Sequence, residues 1–192
     1  EAKMANDAIS LTELKAGTDG QIISWDSSGN PVAIAVGTSG HFLKSAGAGA
    51  QPAFAAAGIA EADMWRINTA FTGQQSPVTD NWERADTDNF AVLGTGLSQS
   101  SGVFTFPSTG YYYVSARGSF SRNGDDRMLG ISIELTTNNS TYSNIASGTT
   151  FVQRTESDQT GCGTSAHCIV HCDDVSNVKM RFTVGGTGTY CA

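Results

Sequence analysis

Met128-Leu-Gly-Ile-Ser-Ile-Glu-Leu-Thr136 is a stretch with one reading. Leu129, Ile131, Ile133 and Leu135 fall on one side of an extended chain, and Ser132 and Glu134 on the other. Period-2 alternation of this kind marks a β-strand with one face in a core and one outside it. Val178, Met180, Phe182 and Val184 repeat the pattern against Lys179, Arg181 and Thr183. Met64 to Phe71 reads as a further strand, with Trp65, Ile67 and Phe71 alternating with Arg66, Asn68 and Ala70. Shorter runs follow the same logic: Phe90 to Leu93, Gly102 to Pro107 with Phe104 and Phe106 on one face, Gly110 to Phe120, Phe151-Val152, and Ala166 to Cys172. Turn chemistry separates them at Ser98 to Gly102, Ser108 to Gly110, Asn123 to Asp126, Thr137 to Thr141 and Asp173 to Asn177. About eight short strands at this spacing predict an all-β sandwich or jelly roll.

Composition agrees. Gly (22), Ser (21) and Thr (21) make up one third of the 192 residues, and only 15% are charged. A helical bundle needs far more Ala, Leu, Glu and Lys. The net charge is −7, and the 11 Lys and Arg are scattered singly. Nucleic-acid binding requires a basic stripe, so no nucleic-acid partner is expected. No run approaches the roughly 18 apolar residues of a spanning helix, so no membrane insertion is expected. Residue 1 is Glu and no signal-like apolar stretch follows. The expectation is a piece of a longer polypeptide or a processed form. Cys162, Cys168, Cys172 and Cys191 lie late in the chain and read mainly as small apolar core residues, with one late pairing left open.

The texture changes near Asp63. Upstream, Gly17-Thr-Asp-Gly-Gln-Ile-Ile-Ser24 matches Gly37-Thr-Ser-Gly-His-Phe-Leu-Lys44 at a shift of 20 residues. Each copy continues into a Gly-rich turn and a Pro, at Gly29-Asn-Pro31 and Gly49-Ala-Gln-Pro52. The unit predicts a hairpin of two short strands with turns at both ends. Such a unit cannot bury Ile22 and Ile23, or Phe42 and Leu43, within one chain. Short repeats need stacked neighbours or partner chains. Residues 1–63 therefore read as an extended stalk of two Gly-rich repeats, and those four apolar residues as its packing positions. Met4, Ile9, Leu11 and Leu14 before the repeats suggest a short helical segment. Ala46 to Ala57 is the most linker-like part.

Gly102-Val-Phe-Thr-Phe-Pro-Ser-Thr-Gly-Tyr-Tyr-Tyr-Val114 resembles the signature of the complement component 1q and tumour necrosis factor jelly-roll superfamily. Two spaced aromatics, a Pro, a turn closing on Gly and an aromatic strand carry the likeness. It covers roughly residues 63–192, and the head domain is set at 64–192. The stalk stretches Ala16 to Asp26 and Val36 to Ser45 resemble repeats upstream of such heads in tail-fibre and virion appendage proteins of marine bacteriophages. Ala2-Lys-Met-Ala-Asn-Asp-Ala-Ile9 resembles another short repeat of those fibres. The resemblance implies a homotrimer on a virion surface, outside the cell. Its head would meet a host-surface receptor, glycan or protein, and its N-terminal side would meet other virion proteins. The alternative is a secreted filament or matrix subunit whose head is an assembly knob. The family's last aromatic strand is expected after the Gly-rich loop, and Thr189 to Ala192 is too short for it. The head is therefore expected to lack that strand or keep a stub.

Trp65, Phe104, Phe106, Tyr111, Tyr113 and Phe182 are assigned to the core or the trimer interface. Trp82, Tyr111, Tyr113 and Tyr142 are also weighed as an exposed aromatic surface. Receptor contacts are assigned to the loops Ser121 to Arg127, Thr137 to Ser143 and Glu156 to Ser165. Within them Arg122, Asn123, Asp125, Asp126, Asn138, Asn139, Tyr142 and Asp158 are the best candidates. His167-Cys-Ile-Val-His-Cys172 suggests zinc by residue type, but alternate residues of a strand face opposite ways. The two His and two Cys cannot converge on one ion. The acidic loops at Asp86 to Asn89, Asp125-Asp126 and Asp173-Asp174 lack a dense calcium-binding spacing. No cofactor is expected, and calcium is the one ion the resemblance leaves open. No nucleophile elbow, Walker loop or dinucleotide fingerprint is present, so no enzymatic role is expected.

Overall fold

A computed structural model describes residues 16–122, 126–152, 160–186 and 189–191; for 126–127 and 189–191 only the backbone is described. Every regular element among them is a β-strand. The chain divides into two units, Glu1–Ala60 and Glu61–Ala192. The expected helical segment at Met4 to Leu14 lies outside the described residues.

The first unit contains two antiparallel hairpins. β1 (Ile22–Trp25) pairs with β2 (Pro31–Ile34), and β3 (His41–Lys44) with β4 (Ala53–Ala56). Asp26 closes the first hairpin. Its Oδ1 accepts the amides of Ser28 (2.8 Å) and Asn30 (2.9 Å), and Gly29 takes φ 80°. Those amide bonds hold the Asp26 carboxyl below the usual aspartate range.

The second unit holds two larger sheets. Its strands are β5 (Trp65–Ile67), β6 (Phe71–Thr72), β7 (Trp82–Arg84), β8 (Ser98–Ser100), β9 (Val103–Thr105), β10 (Gly110–Arg122), β11 (Asp126–Thr136), β12 (Ser143–Val152), β13 (Thr160–Cys172), β14 (Lys179–Gly185) and β15 (Thr189–Cys191). One sheet runs β13-β10-β15-β6, the other β12-β11-β14-β9-β8, and β5-β7 forms a separate pair. Inward residues of both large sheets meet in one core. Phe120, Ala166, Val170 and Cys172 come from the first, and Phe104, Leu129, Ile133, Val152 and Met180 from the second. Phe104 lies at the centre of an aromatic cluster. Its ring contacts Trp65, Trp82 and Phe182 edge-on or nearly so, at centroid distances of 5.4, 5.0 and 5.3 Å. The Trp82 indole donates to Val78 O at 2.9 Å, which satisfies its polar end.

Several sequence expectations change. The single strand at Met64 to Phe71 is two strands, and β5 and β6 belong to different sheets. Asn68 and Thr69 turn away to bond Asn81, and Gly73 follows with φ 93°. Alternation carries no information about which partner each half finds. Phe90 to Leu93 is not a strand; both residues are exposed, and Leu93 only bridges Ala62. Ser98–Ser100 is a strand rather than the start of a turn. The strand marked by Phe151-Val152 extends back to Ser143. β13 begins at Thr160, inside the segment expected to be a loop.

β15 lies between β10 and β6, with Thr189 opposite Ser121 and Thr72, and Cys191 opposite Ser119. This short strand thus takes an inner position of its sheet. Among the described residues no strand pairs with Gly110 to Gly118 on that side of β10.

Candidate interaction surface

The outward face of β10 and β13 exposes several large side chains. Alternation in β10 sends Tyr112 inward, where its ring meets Phe106 at 4.7 Å and its hydroxyl donates to Ser108 O at 2.8 Å. Tyr111 and Tyr113 must then face outward, and they are 76% and 71% exposed. The β10–β13 register sets Tyr111 opposite His171 and Tyr113 opposite Ile169. Tyr111 stacks on His171 at 4.4 Å and 16°. Tyr113 lies parallel to His167 at 6.1 Å, with its hydroxyl 3.1 Å from His167 Nδ1. Ile169, 73% exposed, stands between the two pairs. Cross-strand aromatic pairs hold such side chains in one arrangement. Among the described residues of β10 and β13 on this face, Arg117 is the one permanently charged group. This sheet face thus exposes two tyrosines and an isoleucine with little charge around them.

The six residues assigned to core or interface divide. Phe104 and Phe106 are buried, and Trp65 and Phe182 are half-buried against the same core. Tyr111 and Tyr113 are the exposed pair. The weighed aromatic surface does not assemble: Trp82 is in the core, and Tyr142 belongs to the other sheet's outer side. There the Arg181 guanidinium lies 4.0 Å over the Tyr142 ring, and Arg181 Nε donates to Glu134 at 2.6 Å. Burial raises the Tyr142 phenol above its ordinary range, against the opposing pull of Arg181.

The receptor-contact candidates do not form one cluster. Register places Arg122 opposite Thr160 and Asp126 opposite Val152, at one end of the sandwich. Leu135 pairs with Ser143 and Thr136 with Lys179, which puts Asn138, Asn139 and Tyr142 at the other end. Arg122 closes β10 and Asp126 opens β11. Asn123, Asp125 and Asp158 lie outside the described residues. Asn138 is occupied as a turn former: its Oδ1 accepts the amides of Ser140 (3.0 Å) and Thr141 (2.8 Å). Asn139, exposed at φ 53°, donates its amide to Asn177 O.

In β13, Cys168 and Cys172 turn to the core, and His167 and His171 turn out. Four residues of strand separate the two His by about 13 Å, beyond one ion's reach. Burial raises both thiols, which suits apolar core residues. Among the described residues no group of three or more His, Cys, Asp or Glu is placed to hold a metal, and no helix is long and apolar enough to cross a membrane.

A carboxylate cluster that sequence reasoning missed braces the start of this unit. Asp63 Oδ2 accepts the Trp65 indole (2.9 Å) and the Leu97 amide (2.8 Å), and lies 3.3 Å from Arg84. Glu61 accepts the amides of Thr95 and Gly96, both at 2.9 Å. Arg84 also bonds Leu97 O and covers the Trp65 ring. The amides of Thr95, Gly96 and Leu97 lie 34 or 35 residues along the chain from their acceptors and leave no local signal.

No protein-family model matches the chain, and no curated protein matches it.

Proposed function

We propose that the chain is a homotrimeric fibre or appendage protein of a bacteriophage virion. Residues 1–63 would form a stalk, and residues 64–192 a jelly-roll head that attaches to the host surface. The single observation that carries the reading is the outward face built by Tyr111, Tyr113, Ile169 and His171, which a second copy of the chain would cover. Strand order supports the jelly roll. From β9 onward the chain passes from sheet to sheet at every connection except the β11–β12 hairpin, and β6 and β15, near the two ends of the unit, are neighbours. The low charge of the face supports a copy of the chain as its occupant, since like meets like without repulsion. Three copies side by side would turn weak receptor contacts into avidity. Receptor contacts fall to the loops at the ends of the sandwich, with rigid sheets behind them.

Native mass spectrometry of the whole chain tests the reading. The expected mass is three 20.0 kDa chains. Ile169→Asp, which places a charge at the centre of the face, is expected to lower the trimer fraction at least about tenfold at equal concentration. The far-ultraviolet spectrum of the variant should stay unchanged. A wild-type mass of one chain, or a trimer indifferent to Ile169→Asp, overturns the reading of this face.

A further inference from the structure

β10 is an inner strand with one side only partly covered. β13 pairs with it along its whole length, from Gly110 opposite Cys172 to Arg122 opposite Thr160. On the other side β15 pairs with Ser119 to Ser121 and goes no further. Among the described residues no backbone hydrogen bond reaches Gly110 to Gly118 from that side. In an antiparallel sheet, successive residues of an inner strand bond to opposite neighbours. Every second residue of Gly110 to Gly118 therefore directs its N–H and C=O into a gap about 30 Å long.

The core side chains of the same strand register the gap. Phe120, whose backbone has β15 beside it, is 2% exposed. Tyr112, Val114 and Ala116 also point inward, yet they are only half-buried. Across on β13, Val170 opposite Tyr112 and Ala166 opposite Ala116 are 1% and 3% exposed. The core is closed where strands flank β10 on both sides and open where one side has none. Arg117 is the one charged residue of Gly110 to Gly118, and alternation sends it outward.

We infer that this gap receives a β-strand donated by another polypeptide, an extended segment antiparallel to β10 and apolar at alternate positions. A row of amides and carbonyls at strand spacing is matched by a second extended backbone, which is the chemistry of β-strand addition. Direction follows from β15, which sets Thr189 opposite Ser121 and Cys191 opposite Ser119. A strand on the same line runs from beside Gly118 to beside Gly110. Residues directly opposite one another share a face of the sheet. Those opposite Ala116, Val114 and Tyr112 enter the core and must be apolar and uncharged. Those opposite Arg117, Ser115, Tyr113 and Tyr111 stay outside and are free to be polar. A second copy does not supply such a strand: β11 and β14, which carry the required alternation, already have a neighbour on each side. The inference is independent of the trimeric reading, because the gap lies along the edge of β10 and not on its outward face.

The full chain is titrated with the peptide acetyl-Thr-Val-Thr-Val-Thr-Val-Thr-Lys-Lys-amide. Its Val residues fall opposite Ala116, Val114 and Tyr112, and its Lys residues keep it in solution. The readout is residue-resolved hydrogen exchange at Gly110 to Gly118, with the Leu129 to Ile133 amides as an internal control. In the free chain, alternate amides of the stretch are expected to exchange at least about tenfold faster than their neighbours bonded to β13. Saturating peptide should slow those amides at least about tenfold and leave the control unchanged. A peptide with Asp in place of each Val should give no protection. N-methylation of at least one of the two alternate sets of peptide amides should abolish it, because strand addition runs through the backbone. Gap amides already slow in the free chain mean that the protein covers the gap itself, and overturn the inference. Fast amides that the Val peptide leaves fast overturn it too. Equal protection by the Asp peptide, or by both N-methylated forms, does the same. A native mass of one chain removes the trimeric reading and leaves this inference standing.

Discussion

Phe104 shows how one side chain serves two sheets and a hairpin. It belongs to β9, contacts Phe182 of β14, and receives Trp65 and Trp82 from the β5-β7 pair. Phe104→Ala removes the ring that all three others touch. The expected loss is about 3–5 kcal/mol, read from the midpoint of urea unfolding. Asp174 acts through charge instead. It accepts the Ser176 amide at 2.8 Å and the Asn177 side-chain amide at 2.7 Å, and the Ser176 bond is the largest cause holding its carboxyl below the ordinary 3.8. A carboxyl lowered in the folded state stabilises the fold above the unfolded value, and the effect fades as pH falls through the folded one. Asp174→Asn should therefore be less stable than wild type at pH 7. The gap should close below about pH 4, which thermal melts across that range would show. A gap independent of pH would remove the carboxylate from the account. Phe104 was legible as a core residue because it lies in an alternating run. The Asp63–Arg84 brace was not, because its partners are remote in sequence.

Among the elements, β12 and β13 approach each other closely. They are edge strands of different sheets, and a Cβ on Gly148 would lie 2.1 Å from the Ser165 carbonyl oxygen. No side chain fits there. Gly148→Ala must push the edges apart, and the expected cost is about 1–3 kcal/mol, visible as a lower melting temperature. An unchanged melting temperature would mean that the edges yield freely. The strands with strict alternation, β11 and β14, were readable from their residues alone. β5 and β6 were legible only as one continuous run, and β8 was not legible; each is two or three residues long and is fixed by its pairing, β5 with β7, β6 with β15 and β8 with β9. Phe90 to Leu93 erred the other way: an apolar run with no partner strand stays a loop.

At the scale of the whole molecule, assembly and stability are expected to be one equilibrium. If the Tyr111–Ile169 face and the stalk ribbons are covered by copies, unfolding releases separate chains. The melting temperature should then rise with protein concentration. A melting temperature constant over a hundredfold dilution counts against assembly through these surfaces. The sequence by itself determined the all-β class, the strands whose faces alternate, the hairpin repeats and the inward turn of the Cys stripe, because backbone geometry forces each of these locally. Only the tertiary structure decided that Tyr111 and Tyr113 stand outside, that the receptor-loop candidates lie at opposite ends, and that Thr189–Cys191 takes an inner position of its sheet. Those outcomes depend on which sheet face meets the core and which strand pairs with which. Period-2 alternation is blind to both.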